Sequence, residues 1–494
     1  MSTALALAPP ANKGLATLNR ALFKKAINLV AIRVPAASCS RAMKELPEGS
    51  VLDYPRLRGI VEDPAEKQNG GKKKSASRLV LLHPAIAATP DRLAPIIYKF
   101  VQKEGGEITN YELNLDYDYW TADQVLRSIL PDEIDIPGSF ETVGHIAHLN
   151  LRDQYLPYKY IIGQVLLDKN SNLRTIVNKT GNIDHTFRFF QMELLGGEDN
   201  MMAEVNESNC KFRFDFSRVY WNSRLQREHE RIVSSFKREQ LVCDVFGGVG
   251  PYAVPAAKNK NCLVFANDLN PASYEFLREN IRLNKVEHLV KPFNMDGREF
   301  IRNSVKELNA PNALDELRSK VPAPKKPRTL KSSKTQSTTD TEPPSTPTPT
   351  ITPVAHNLGP LESTTGFRWF DHYVMNLPGT AIEFLDAFWC LFKGQEEHVP
   401  ADKLPIIHCH CFSREENATK DVVERVEAVM GARIGDNLIK VHNVRNVAPN
   451  KDMLCISFRL PAEVAFASQP PVRDESKRQL DEPELTDAKK SRIE

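Results

Sequence analysis

Three aspartates recur at equivalent places along the chain, and their spacing suggests a chemistry. Asp244 closes the apolar run QLVCD, Asp268 closes CLVFAND and Asp296 closes VKPFNMD. Each run reads as a strand followed by a helical pattern, which puts the three carboxylates on one edge of a parallel sheet. A single acid in such a place is an ordinary cap or turn former; three at successive strand ends describe a site. After the first lies a glycine turn, DVFGGVGPYAVPAA, residues 244–257. No Gly-Lys-Ser/Thr follows, so it is not a phosphate-cradling loop, and Pro251 breaks the G-x-G-x-x-G spacing of a dinucleotide fold. A fixed carboxylate beside the turn suits a cationic ligand group better than a pyrophosphate. Asp268, about 20 residues on, suits a ribose diol. Asp296 and Gly297 stand where an adenine would sit. S-adenosylmethionine, with its amine and sulfonium, meets these demands better than a nicotinamide cofactor.

A fourth strand ends YVMNLPG. Its Asn376 resembles the head of the [DN]-P-P-[YF] element of amino-group methyltransferases, with two departures. Leu377 replaces the first proline and no aromatic follows, so a base held here needs stacking from elsewhere.

The elements that must position these residues are legible too. Strand and helix patterns alternate from residue 211 to 465, ending in a hairpin of LIKVHNVRNV and DMLCISFRL. This predicts an α/β domain with a doubly wound, mostly parallel sheet. Residues 318–363, rich in Pro, Ser, Thr and Lys, read as a disordered insertion, and 466–494 as a disordered tail. Two smaller α+β domains precede the sheet, over 31–135 and 136–210. The first carries a helix in TPDRLAPIIYKFVQKEG and a strand in EITNYELNLDYDYW; the second carries short strand-like runs, IIGQVLLD, RTIVNK and FRFFQMELL. Residues 1–30 hold no acid and begin a stretch with seven bases before Glu45. With Leu15, Leu18, Leu22 and Ile27 at helical spacing, they read as a mitochondrial presequence or as an amphipathic first helix.

Composition narrows the class. The chain has 494 residues, 41% of them hydrophobic, and a net charge of +2, so a nucleic-acid surface must be a local patch. The eight cysteines form no regular framework, which suggests a reducing compartment. No apolar stretch reaches the length of a membrane span. HCHC at 408–411 alternates along a strand, with both His on one face and both Cys on the other, so no metal site is expected there. The patches KKPR at 325–328 and KKSR at 489–492 fit nuclear import or plain solvated charge.

Taken together, GHIAHLNLRDQYLPYKYIIGQVLLDKN, FRFFQMELLGGEDN, SRVYWNSRLQREHERI, the glycine turn, NDLNP, NMDGREFI and MNLPG resemble the archaeal and eukaryotic tRNA (guanine-N1) methyltransferases that modify position 37. The likeness covers roughly 20–465, and Gly247 stands where the family often has alanine. It implies a Rossmann-like class I methyltransferase domain behind two RNA-binding domains, S-adenosylmethionine as cofactor, tRNA as partner, no metal and a monomer. Guanine N1 carries a proton at neutral pH, so the reaction needs a base and a donor for O6. The resemblance puts the base at Glu228, with Glu230 as rival, and the O6 contact at Arg188. It assigns the cofactor to His229, Asp244, Gly248, Gly250, Asp268, Leu269, Asp296, Gly297 and Asn376. Asn376 meets the guanine edge, the cofactor or both, and Tyr220 either stacks on the extruded base or is a core tyrosine. Lys159, Lys169, Arg174 and Lys179, interleaved with Tyr155, Tyr158 and Tyr160, suit RNA contacts. Further implications are a role in the first step of wye-base formation on phenylalanine tRNA and a distribution over mitochondria, nucleus and cytoplasm. Another RNA as substrate, or a silent RNA-binding scaffold, are the alternatives.

Overall fold

The computed structural model describes residues 7–67, 77–84, 94–180, 191–321 and 366–470. Arg188, most of the proline-rich insertion and the tail beyond residue 470 lie outside the described residues. The chain divides into two compact units, the first running to Asn182 and including 190–201, the second holding the remainder.

In the first unit, β1 (Lys25–Pro35), β2 (Ile60–Glu62), β3 (Ser77–Leu81) and β4 (Glu107–Leu115) form a sheet of order β2–β3–β1–β4. Short helices α1 (Cys39–Glu45) and α2 (Pro64–Lys67) lie between its strands, and α3 (Pro95–Lys103) is the helix expected before β4. Among the described residues, 7–30 form no amphipathic first helix, one of the two readings of this stretch. Arg20–Phe23 makes one 3-10 turn and Ile27 already belongs to β1. The reason lies in the run after it: Leu29 and Ala31 pack into one cluster while Val30 and Ile32 pack into another. Only a strand covered on both faces buries both sets.

The second sheet of this unit follows α4 (Ala122–Ile129), which opens on a Thr121/Gln124 capping box. It contains β5 (Glu141–Val143), β6 (Ile146–Leu149), β7 (Thr175–Thr180) and β8 (Gln191–Gly197), in that order. IIGQVLLD, expected as a strand, is instead the interior of α5 (Lys159–Lys169). Gly163 lets that helix lie flush on the sheet, because a Cβ there would come within 2.7 Å of the Leu195 Cβ. Two expected RNA-contacting groups are absorbed by packing. Tyr155 is buried in the core, and the Lys169 ammonium bonds the Tyr117 carbonyl and sits 3.7 Å above its ring.

The second unit opens with a hairpin, β9 (Met202–Glu207) and β10 (Cys210–Asp215), which the boundary expected at 210 would have cut. After α6 (Gln226–Ser235) comes the alternation read from the sequence. It runs β11 (Leu241–Asp244), α7 (Ala253–Lys260), β12 (Leu263–Asn267), α8 (Pro271–Leu283), β13 (Val290–Phe293), α9 (Gly297–Asn309) and the short α10 (Asp315–Arg318), which ends on the first residue of the expected insertion. β14 (His372–Met375), β15 (Ile406–Ser413), α11 (Ala418–Met430), β16 (Leu438–Ala448) and β17 (Lys451–Arg459) complete it. The helix expected over TAIEFLDAFWCLF is a 3-10 segment, Ala381–Phe388. The seven strands take the order β13–β12–β11–β14–β15–β17–β16. The first five are parallel and the last two antiparallel. The register of edge strand β16 slips at three places against β17. Strand order reverses between β11 and β14, the point where open α/β sheets leave a crevice for ligands.

Two buried asparagines hold that crevice in shape. Asn267 donates to the carbonyls of Val245 (3.1 Å) and Met295 (3.0 Å) and accepts from the Met295 N–H (3.0 Å), tying together the chain leaving three strands. Asn280, on α8, donates to Val249 in the glycine turn (3.0 Å) and accepts from the Arg213 N–H of β10 (2.8 Å). Each bond lost from a buried group costs about 1–3 kcal/mol. Asn267→Ala is therefore expected to destabilise the protein by about 3 kcal/mol in denaturant titration; a loss below about 1 kcal/mol would show that the clamp is dispensable.

Candidate cofactor and acceptor pocket

A cavity of about 430 Å³ opens at the switch point, entirely within the second unit. Its walls come from the loop before α6, the glycine turn, the ends of β12 and β14, and the loop before α9. Of the residues expected from sequence, Tyr220, His229, Gly248, Asp268, Leu269, Asp296, Gly297 and Asn376 all line it.

The glycine turn is fixed from below. Gly248 (φ +54°) and Gly250 (φ +99°) adopt backbone that other residues rarely take. A Cβ on Gly250 would also come within 2.9 Å of Leu277 and Val254. The position of Gly247 is roomier, with the Asp244 carboxylate 3.3 Å from a built Cβ, in keeping with alanine there. The Gly248 N–H donates to Asp268 Oδ2 (2.8 Å) and the Asn270 N–H to Oδ1 (2.9 Å). Each oxygen keeps acceptor capacity toward the cavity. Asp296 caps α9, accepting from the Arg298 and Glu299 N–H groups. Gly297 leaves room for aromatic packing, since a Cβ there would lie 2.7 Å from the Phe246 ring, which stands edge-on to Phe384.

Asp244 and Gly250 stand behind the wall rather than in it. Asp244 is fully buried and neither oxygen has a hydrogen-bond partner among the described residues. Burial, with nearby Asp268, pushes its carboxyl up to about 8. Asn376 Oδ1 is likewise buried and unpartnered. Two orphaned acceptors beside one cavity, with Asp268 at its rim and flat rings opposite, fit a ligand that brings donors and positive charge. The donor-rich sulfonium nucleoside expected from the sequence is of that kind.

No aromatic follows Asn376 in sequence, but several line the same cavity. Phe412, at the far end of β15, lines the cavity, as do Trp221, Phe246 and Phe384, none of which the sequence singled out. Phe246 could have been noticed inside the glycine turn; Phe384 and Phe412 carry no local signal. Tyr220 is 45% exposed, so it is a rim residue and not a core tyrosine. His229 is held by Glu207 through Nδ1 (2.5 Å) and packs edge-on against Tyr252.

Glu228 is the main departure from expectation. It does not line the cavity; it is 3% exposed and turned into the protein. Arg231 grips both its oxygens (2.6 and 2.7 Å) and His410 Nε2 lies 2.7 Å from Oε1. Burial alone would raise its pKa, but Arg231 and His410 hold the carboxyl down at about 2. The rival Glu230 faces solvent. Glu228, His410 and Cys455 approach within 4.8 Å of one another, as ligands of a metal would, yet the guanidinium of Arg231 already supplies the positive charge. In HCHC, His408 bonds Ser457 on the same face as His410, while Cys409 and Cys411 sit in the opposite core.

Residues 203–310 match the family model of the TRM5/TYW2 methyltransferase domain, and 122–200 that of the TYW2 N-terminal domain. A tRNA (guanine(37)-N(1))-methyltransferase of Batrachochytrium dendrobatidis is 52% identical over 461 residues, covering 93% of this chain and 92% of that protein. The Homo sapiens protein of the same name is 40% identical over 464 residues, covering 93% and 79%. Among solved structures, the complex of aTrm5 and tRNALeu has a TM-score of 0.55 and 18% identity, covering 87% of this chain and 99% of that one, a likeness of fold.

The buried Asp244 sets a pH dependence. Its folded pKa is raised above the unfolded value near 3.9, so it favours folding when protonated. That contribution is complete below the unfolded pKa and is lost as pH rises through about 8. Without ligand, the melting temperature of the wild type is expected to fall relative to Asp244→Asn as pH rises from about 4 to about 8. Parallel curves for the two proteins would show that this carboxylate is solvated.

Proposed function

The chain belongs to the tRNA (guanine(37)-N(1))-methyltransferase family, and on that footing we propose how its own residues carry out the reaction. The acceptor is N1 of guanosine 37 in tRNA, and S-adenosylmethionine supplies the methyl group on a sulfonium. Asp268 accepts the ribose hydroxyls through its open lone pairs. Phe246 and Phe384, brought together over Gly297, bound the adenine, with Asp296 and Leu269 beside it. Asp244 lies beneath the turn with its carboxyl mostly protonated at neutral pH, and the cationic end of the ligand draws it toward the ionised form; His229 is fixed by Glu207 to contact the same ligand.

The observation that carries this reading is that Asn376, whose Oδ1 is a buried acceptor without a partner among the described residues, lines the same cavity as Asp268. Cofactor and guanine thus share one chamber, with Asn376 accepting from the guanine edge. Tyr220 and Phe412 flank the extruded base, taking the place of the motif aromatic. Glu228 is the base for the N1 proton. Held at a pKa of about 2 by Arg231 and His410, it cannot act until the Arg231 pair opens. Arg188 steadies charge on O6, a role resting on the sequence resemblance. A displacement at a sulfonium carbon needs no metal. The product in phenylalanine tRNA is the starting point for the wye base. The enzyme acts as a monomer, and the basic stretch before Glu45 suits entry into mitochondria alongside nuclear and cytoplasmic pools.

Methyl transfer to an unmodified tRNA transcript, with the product base mapped, tests the reading. N1-methylguanosine at position 37 is expected, with loss of the product when that guanosine is replaced. A methyl group elsewhere, or none, would favour another RNA or a silent scaffold. Glu228→Gln and Arg188→Ala should each lower the single-turnover rate by about 10²-fold or more while cofactor affinity stays within about threefold. Wild-type rates in both would remove them from the chemistry.

A further inference from the structure

Glu228 is held by two cations that differ in kind. Arg231, three residues along α6, is 29% exposed in its side chain and grips both carboxylate oxygens. His410, on β15, is fully buried and engages Oε1 alone. The other groups facing the pair are His442 on β16, its Nε2 3.9 Å from Glu228, and the Cys455 sulfur on β17. Tyr252, which also lines the cavity, has its hydroxyl 3.5 Å from His410 Nε2, and Asp244 feels the His410 charge. His408 is engaged with Ser457 and His372. With Arg231 forked across it and His410 on Oε1, Oε1 carries two hydrogen bonds and Oε2 one, to Arg231. Arg231 is the partner within reach of solvent; His410 is locked between two strands.

We propose that His410 is a positioning residue for methyl transfer: its Nε2–H keeps hold of Glu228 Oε1 while Oε2, released by Arg231, receives the N1 proton of guanine. The inference rests on Glu228 being the base. The N1–H bond gives its proton to Oε2 and its electron pair to the new N1–C bond, while the C–S bond pair stays with sulfur. The buried imidazole thus sets which oxygen is fixed and which is open, and its hydrogen bond keeps the carboxylate ionised.

The test is a pH series of single-turnover rates on a transcript, with cofactor affinity and melting temperature measured alongside. His410→Phe removes the donor and keeps much of the volume. It should slow the chemical step by about tenfold or more and leave cofactor affinity within about twofold. Removing a donor from the ionised form raises a carboxyl pKa, so the acid limb of the profile should move up by about one pH unit. His410→Gln, which returns an N–H near the Nε2 position, should bring both rate and limb back toward wild type. If the Phe variant does not fold, His410→Asn, whose amide ends short of that position, replaces it. A folded donor-less variant with the wild-type rate and pH profile overturns the inference, as does a Gln variant that behaves like Phe. Glu228→Gln separates the two levels: full activity there defeats the base assignment itself, whereas an inactive Glu228→Gln beside an unaffected His410→Phe defeats only the role of His410.

Discussion

A parallel sheet ends in a row of backbone groups that its own ladder cannot satisfy, and a ligand-binding rim can be built only if those groups are paired without filling the space. Asn267 solves this constraint. Its amide reaches the chain beyond β11 and β13 from the end of β12, so three strand ends become one rigid edge. Everything at the rim inherits that rigidity. Asp268 follows directly, and its oxygens receive the amides of the glycine turn and of Asn270. Asn270 in turn caps α8 and holds the carbonyl of Arg218, just before Tyr220. A short polar stretch, NDLNP, thereby fixes the turn, a helix start and the loop bearing the rim tyrosine.

On this frame the cavity combines two environments. One side is aromatic, from Phe246, Phe384, Phe412 and Trp221. The other carries acceptors without donors, Asp244 below and Asn376 beside. Unpaired buried acceptors are costly, and a donor-rich cation supplies what they lack. Glu228 shows the contrary arrangement, a carboxylate fully supplied with donors and correspondingly inert. Asp244 and Glu228 are thus set to opposite states, the one by burial without donors and the other by the cations that grip it.

Much of this was legible in the sequence because strand ends and turns are local. The three aspartates, the glycine turn and Asn376 are each marked by an apolar run that stops, and the alternation gave the order of the second unit. The misreadings have physical causes. IIGQVLLD is apolar on most sides because α5 is sunk into a core, so helical periodicity vanishes and the run resembles a strand. Lys25–Pro35 conceals its strand for the same reason, being covered on both faces. The aromatic wall was invisible because Phe384 and Phe412 reach the cavity from separate elements. The orientation of Glu228 was equally hidden: it depends on His410, a residue far along the chain that the sequence offered only as half of a metal-like quartet.

The slipped register of β16 matters beyond this site. An outer strand of a seven-stranded sheet presents unused amides and carbonyls that could recruit another chain. Three interruptions over eleven residues break that row into pieces too short and too twisted to template a regular partner. With Lys440 and Arg445 along it, the border of the sheet is guarded against stacking into aggregates, so the catalytic unit can end in an open edge without becoming adhesive.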